Sequence, residues 1–418
     1  MSADGALSIF ESSWGSKGVE TSLGLTHSSF EKPPVGTVRG LKIDSDCKAG
    51  EEVVSLRLTN CLVASSTQPS GRIKDCIDPE VWASMLPTTR LSIVLLNEFM
   101  EKSSTEFVEY MSILPEESEM NTPIHWSEAD LQKLEQVYPH IVSKVEKQKQ
   151  SYKSLYSLLT TRAVGGGRGA FIDDKEKVPL ERLVWAMESV SSRAFSGVGG
   201  LEKDGFQLGA VFAAASVGLA ISLASAPTVS IPGNVIDRET LTLTLGTLGA
   251  LALVPSVVSS QTGSCKCVLL PVIDSCNHRS VGANCEMAYD VARECFVMKI
   301  RAGESVKAGQ ELTLSYGDRD NDDLLQYFGF VETDNPYDQY VFGGPGGRIR
   351  VTKGSREGWE TPGVDDAALR GLLMDELGRL ERLLLGEGSS VDGNIPSRLM
   401  MVFLAEKLGV IKEAIRRC

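Results

Sequence analysis

The spacing of apolar positions divides the chain into strand-like and helix-like stretches. Gly36 to Leu62 reads as strands: Thr37-Val38-Arg39-Gly40-Leu41-Lys42-Ile43 is a β-prone run, Lys48-Ala49-Gly50-Glu51-Glu52 a turn, and Val53-Val54-Ser55-Leu56 the next strand. From Asp78 to Ser157 the period becomes helical, with Trp82, Met85, Leu86, Ile93, Leu96 and Met100 recurring on one side. Another helix opens at Trp126 to Leu131, with Ser127 as its N-cap and Asp130 three residues later. Pro179 to Ala194 predicts a helix whose apolar face carries Leu180, Leu183, Val184 and Met187. Strands return between Cys267 and Tyr316, as Val268-Leu269-Leu270, Cys295-Phe296-Val297-Met298 and Glu311-Leu312-Thr313-Leu314-Ser315-Tyr316. Lys307-Ala308-Gly309-Gln310-Glu311 echoes the earlier Lys48–Glu52 turn, which predicts two similar strand-turn-strand units in one sheet system rather than a tandem repeat. Gly343 to Gly347 reads as a linker. Beyond it, Leu369, Leu372, Leu373, Leu377, Leu380 and Leu384 predict one amphipathic helix, and Leu399, Phe403, Leu404 and Leu408 a second.

Composition narrows the field. A chain of 418 residues predicts two or three domains, and 42% hydrophobic residues exclude a wholly disordered one. The formal net charge of −13, with no basic run, argues against nucleic acid as a direct partner. Nine cysteines are too sparse for a disulfide scaffold. The Gly165–Gly169 run is followed by no Gly-Lys-Ser/Thr, so it is a break and not a phosphate loop. Met1 to Gly24 lacks both a secretory pattern and the Arg-rich, acid-poor character of a presequence. A cytoplasmic or nuclear protein is expected on that basis, with a plastid or membrane-associated location left open.

One block departs from the average. The 59 residues Phe206 to Ser264 hold only three charges, Asp237, Arg238 and Glu239. Leu208–Ala226 and Leu241–Val258 each approach the roughly 20 residues that span a bilayer as helix, so residues 206–264 read as an apolar helical hairpin. Two expectations stand side by side: a membrane segment, with Gly209, Ala213 and Gly218 allowing close packing, or an Ala-rich hairpin buried against the domain or a partner. The scarcity of flanking Lys and Arg weakens the first.

Three segments carry the chemistry: Ser192-Arg193-Ala194-Phe195, Pro271-Val272-Ile273-Asp274-Ser275-Cys276-Asn277-His278, and Leu314-Ser315-Tyr316-Gly317 with Tyr327-Phe328-Gly329-Phe330 downstream. Singly each is ordinary. Together, in this order and with Asn335-Pro336 following, they resemble the SET-domain protein-lysine methyltransferases of the Rubisco large-subunit methyltransferase-like class, over most of the chain. The resemblance implies an α+β fold: a split β-rich SET core with a helical insertion and a small C-terminal helical domain. It divides the chain into a first SET part at 1–75, the insertion at 76–190, the start of the second SET part at 191–205, the apolar insertion at 206–264, the catalytic part at 265–342 and a helical substrate-binding-like domain at 343–418. Leu91 to Phe99, Phe107 to Pro115 and Ile124 to Leu134 fall in the helical insertion.

The same resemblance implies S-adenosyl-L-methionine (AdoMet) as cofactor and a lysine of a protein substrate as methyl acceptor. Tyr316 is the expected catalytic residue. Arg39, Gly40 and Leu41 occupy the first AdoMet-contacting turn, and Arg193 is placed to pair with the cofactor carboxylate. Backbone groups of Asn277 and His278 are expected to hold the adenine, with their side chains largely structural, and Asp274 belongs to the same loop. Phe195, Tyr327 and Phe328 are the expected substrate contacts. Phe328 stands where many relatives have Tyr, which leaves the number of methyl groups open. Metal binding is not expected, because Cys265 and Cys267 lack a matching second pair. A protein-histidine methyltransferase, or a non-catalytic SET-like protein-binding module at a membrane, are the alternatives.

Overall fold

The computed structural model describes residues 19–21, 24–64, 69–101, 107–161, 169–196, 267–386 and 394–418. The apolar block 206–264, with the hairpin predicted there, lies outside the described residues. Among the described residues no helix is long and apolar enough to cross a membrane.

The strands form small sheets. The first has order β1 (Val19–Thr21), β5 (Glu52–Arg57), β11 (Cys295–Ile300), β10 (Cys285–Asp290), and the second β2 (Leu25–Lys32), β3 (Gly36–Ile43), β13 (Glu311–Leu314), β9 (Asn277–His278). A third joins β6 (Leu62–Val63), β8 (Cys267–Leu269) and β7 (Phe195–Ser196), and β4 (Cys47–Lys48) pairs β12 (Ser305–Val306). Strands from before residue 64 thus pair with strands from after residue 266 in every one of these sheets.

The echo between the two turns is real in three dimensions. Gly50 and Gly309 both take positive φ, 82° and 80°, the left-handed region where a Cβ is costly. Lys48 N donates to Glu51 Oε2 at 2.9 Å and Lys307 N to Gln310 Oε1 at 3.0 Å. The strands just before the turns, β4 and β12, pair with each other, Cys47 opposite Val306.

Prolines and polar caps set the helix limits. Among them are α1 (Gly71–Cys76), α2 (Pro79–Ser84) and α3 (Pro87–Met100). The continuous apolar period from Trp82 to Met100 is broken because Pro87 forces Leu86 into extended backbone, φ −64°, ψ 150°. After α4 (Val108–Ile113), α5 (Glu128–Val137) begins at the predicted cap, Ser127 Oγ accepting from Asp130 N at 3.1 Å. Then come α6 (Pro139–Thr160) and α7 (Leu180–Arg193). The two predicted C-terminal helices are α8 (Asp366–Gly386) and α9 (Ile395–Arg417). The Gly343–Gly347 run is not a linker: it closes a hairpin of β14 (Gln339–Gly344) and β15 (Gly347–Thr352), in which Gly344 faces Gly347.

Two apolar cores result. One lies between the split sheets, α3 and α7; the other joins α5, α8, α9 and the β14–β15 hairpin. Helix α6 belongs to both, its N-terminal Ile141, Val142 and Val145 in the second core and its C-terminal Tyr152, Leu155 and Leu159 in the first.

Candidate active site

The site is organised by one parallel pairing. Strand β9 runs beside β13, with Thr313 opposite Asn277 and Leu314 opposite His278. This draws the Pro271–His278 segment alongside the strand that leads into Tyr316. The turn before it contains buried Val272 at φ 78°, a conformation that costs a β-branched residue about 1–3 kcal/mol.

Tyr316 is fixed at three points. Its backbone N donates to His278 Nδ1 at 3.0 Å, its hydroxyl donates to Cys276 O at 2.7 Å, and its ring stacks on Phe328 with centroids 5.0 Å apart. His278 lies 4.8 Å from the Tyr316 ring and 6.0 Å from Phe330, centroid to centroid. Because Nδ1 accepts from Tyr316, the neutral ring carries its proton on Nε2, which faces Ser280 Oγ at 3.0 Å and Glu332 Oε2 at 3.6 Å. Burial would lift the Glu332 carboxyl, but hydrogen bonds from His278 and Ser280 hold it below its usual range. Burial pushes the Tyr316 phenol well above its ordinary value, so it stays protonated.

Arg193, the last residue of α7, reaches the same turn, its Nη1 donating to Asp274 O at 3.0 Å. Asp274 accepts from the Tyr110 hydroxyl of α4 through Oδ2. Burial raises its pKa to about 6, although Arg193, Tyr110 and Arg39 all oppose the rise. Arg39, on β3, is held below its ordinary pKa by burial and by the neighbouring Arg193. Two buried polar atoms here lack a partner among the described residues: Arg193 Nε and Asp274 Oδ1.

Gly40 is explained by its neighbours. A Cβ there would lie 2.6 Å from Asn277 Nδ2 and 3.1 Å from Glu311 Oε1. The Asn277 amide fills that space, donating to Arg39 O at 3.0 Å and to Glu311 Oε1 at 2.7 Å, while Lys32 pairs with the other Glu311 oxygen. Leu41 is fully buried in the first core. Phe195 lies partly buried on β7, opposite Val268. Tyr327 and Phe328 part company: Tyr327 is 3% exposed and its phenol is raised by burial among Lys144, Asp323 and Glu188, whereas Phe328 covers Tyr316. Arg39, Arg193, Asp274, Asn277, His278 and Tyr316 therefore come together from four stretches of chain, with Phe328 added from a fifth, and Tyr327 turns inward.

Sequence reasoning missed Glu311, 34 residues from Asn277, and Ser280 and Glu332, 2 and 54 residues from His278. It also missed Tyr110, whose partner Asp274 is 164 residues distant. No local pattern marks such pairs. Among the described residues no group of His, Cys, Asp and Glu is arranged to hold a metal ion.

No family model matches the chain, and no curated protein does. Solved structures do. The chain is similar to the SET domain of LSMT bound to lysine and AdoHcy, with a TM-score of 0.57 and 14% identity, over 100% of this chain and 91% of that one. It is similar to Rubisco LSMT bound to AdoMet, TM-score 0.57 and 15% identity, over 99% of this chain and 91% of the other. A third, Rubisco LSMT bound to sinefungin and monomethyllysine, aligns at TM-score 0.56 and 14% identity with the same shares of both chains. At such identity the likeness defines the fold: this chain has the α+β SET-domain architecture.

Proposed function

We propose that the chain is an AdoMet-dependent methyltransferase that acts on a lysine side chain of a protein. The observation that carries the reading is the convergence of Arg193, Asp274, Asn277, His278 and Tyr316 at the β9–β13 crossing, within a fold whose solved counterparts include one bound to AdoMet and one bound to lysine and AdoHcy.

The residues fit the cofactor. Its amino-acid end carries a carboxylate and an ammonium; the buried Arg193 Nε is a donor and Asp274 Oδ1 an acceptor without partners among the described residues. Leaving such groups unpaired costs about 1–3 kcal/mol each, which a zwitterionic ligand would relieve. Backbone groups of Asn277 and His278 would hold the adenine. Bound there, AdoMet supplies a methyl group on a sulfonium, a strong electrophile.

The protein's part is positioning and dehydration. A free lysine has a pKa near 10.4, and the aromatic surface of Tyr316, Phe328 and Phe330 disfavours its charged form. Tyr316 is not a base, because burial keeps its phenol protonated. Its proton is committed to Cys276 O, which leaves the oxygen lone pairs able to accept from an incoming amine. The Tyr316 backbone cannot drift, being tied to His278. Orientation of this kind is a large term in two-substrate reactions.

Labelled AdoMet incubated with lysate proteins tests the reading. The expected result is label on lysine in one or a few proteins, reduced about 100-fold or more in Tyr316→Phe. Label on histidine would favour the histidine methyltransferase, and AdoMet binding with no transfer the protein-binding module.

A further inference from the structure

Glu188 is a fully buried carboxylate that the proposed chemistry does not use. It lies on α7, five residues before Arg193, at 2% exposure. Three donors converge on it: Tyr152 hydroxyl and Gln148 Nε2 on Oε1, and Thr122 hydroxyl on Oε2, each at 2.8 Å. Two of these partners lead on to the Phe328 segment. Gln148, between the two cores on α6, accepts from Gln326 Nε2 at 3.1 Å through Oε1, and Gln326 is two residues from Phe328. Thr122 backs onto Gly329: a Cβ on Gly329 would lie 3.1 Å from Thr122 N and 3.0 Å from the carbonyl carbon of Asn121. The segment itself is a π-helical turn, Leu324–Phe328, ended by Gly329 at φ 73°, a geometry that local backbone preference does not select.

The direction of the chain of bonds depends on its head. A carboxylate only accepts, so Gln148 must present its NH₂ to Glu188 and is left with its carbonyl for Gln326. Gln326 Oε1 has no donor among the described residues, so that side chain is anchored by its NH₂. From these contacts we infer that Glu188 is a positioning residue for the aromatic face of the site, setting the place of Phe328 against Tyr316 through Gln148–Gln326 and Thr122. The inference deepens the methyltransferase reading and takes from it the statement that this face receives the substrate side chain.

The charge on Glu188 is adjustable. Burial raises its pKa to about 7, against three hydrogen bonds that lower it. The titratable groups that feel it, Tyr152 on α6 and Tyr327 on the π-turn, both have phenols raised by burial and remain neutral at such pH. The acceptor pattern at the head of the chain therefore changes near neutral pH while its neighbours do not.

The test uses the full chain labelled with para-fluorophenylalanine, with the Phe328 resonance assigned through Phe328→Leu and Phe403, in the second core, as the report of intact folding. In the wild type, the Phe328 fluorine shift is expected to titrate with a midpoint near pH 7. Glu188→Gln, the isostere of the protonated acid, is expected to hold Phe328 at the low-pH position at every pH. Gln326→Leu, which cuts the chain at its far end, is expected to displace Phe328 and remove the titration with Phe403 unmoved. In methyl transfer it should lower kcat about tenfold and leave AdoMet affinity unchanged. A Phe328 resonance that does not titrate in the wild type, or that still titrates in Glu188→Gln or in Gln326→Leu, overturns the inference. The fluorine readout requires no transfer of methyl, so a failure of the proposed activity would be seen separately.

Discussion

At the scale of single residues, the site depends on close approaches that permit one side chain only. Gly40 leaves room for the Asn277 amide, which ties β3 to Glu311 on β13. Gly40→Ala is expected to lower stability by about 1–3 kcal/mol through overpacking, read as a shift in urea midpoint at unchanged m-value; no change would mean that Asn277 moves aside freely. Glu188 makes a pH-dependent contribution. Its folded pKa is about 7 against an ordinary 4.5, so the fold favours the protonated acid. That stabilisation is fully present below pH 4.5 and is lost as pH rises through 7. Thermal melts of Glu188→Gln and wild type should accordingly diverge in favour of the variant between pH 5 and pH 8, and parallel curves would contradict the raised pKa. Residue types at Arg193, Asp274, Asn277, His278 and Tyr316 were legible in the sequence because they sit in short motifs. Glu188 was not, although a charged residue amid Trp185, Ala186, Met187 and Val190 on a buried helix is the kind of signal that could have found it.

At the scale of elements, local rules account for the helix starts and for the twin turns. Ser127 caps α5 as its spacing predicts, and Pro87 divides an apolar period that reads as continuous. The Gly343–Gly347 run shows why composition alone misleads: a linker and a tight hairpin ask for the same residues, and only the pairing of Tyr340 with Val351 and Phe342 with Ile349 distinguishes them. The divergence of Tyr327 from Phe328 has a similar cause, since a π-turn rotates side chains away from the α-helical expectation. Gly329 ends that turn in the left-handed region with backbone of the helical insertion 3.0 Å from its would-be Cβ. Gly329→Ala is expected to cost more than the roughly 1 kcal/mol of left-handed strain alone and to shift the Phe328 fluorine resonance; a cost confined to strain, with Phe328 unmoved, would show that the insertion does not brace the aromatic face.

At the scale of the whole molecule, the second core is fastened to the segment that follows Tyr316 by a buried charge cluster. Lys407 of α9, fully buried, pairs with Asp322 Oδ1 and Asp338 Oδ1, both at 2.7 Å, and donates to Gln339 O at 2.8 Å. Burial alone would lift Asp322, but Lys407 and Lys144 hold it below the usual carboxylate range. Asp322 lies six residues after Tyr316, so the C-terminal helix and Tyr316 share one anchored stretch. Lys407→Met strands two buried carboxylates and is expected to cost about 3–5 kcal/mol, measured by chemical denaturation; a loss below about 1 kcal/mol would mean that water enters and solvates them. That distant strands share one sheet system was legible from the two matching turns, Lys48–Glu52 and Lys307–Glu311, whose preceding strands β4 and β12 pair. The Lys407 cluster was not, because Lys407 lies 85 positions from Asp322 with no pattern between them.

We propose that Arg193 and Asp274 hold the amino-acid end of AdoMet beside Tyr316. Isothermal titration of AdoMet into the 418-residue chain is the test. One site per chain is expected, with affinity lowered about 10- to 100-fold in Arg193→Ala by loss of a charge-assisted hydrogen bond and little altered in Tyr316→Phe. Absence of AdoMet binding by the folded wild type, or binding indifferent to Arg193→Ala, would contradict it.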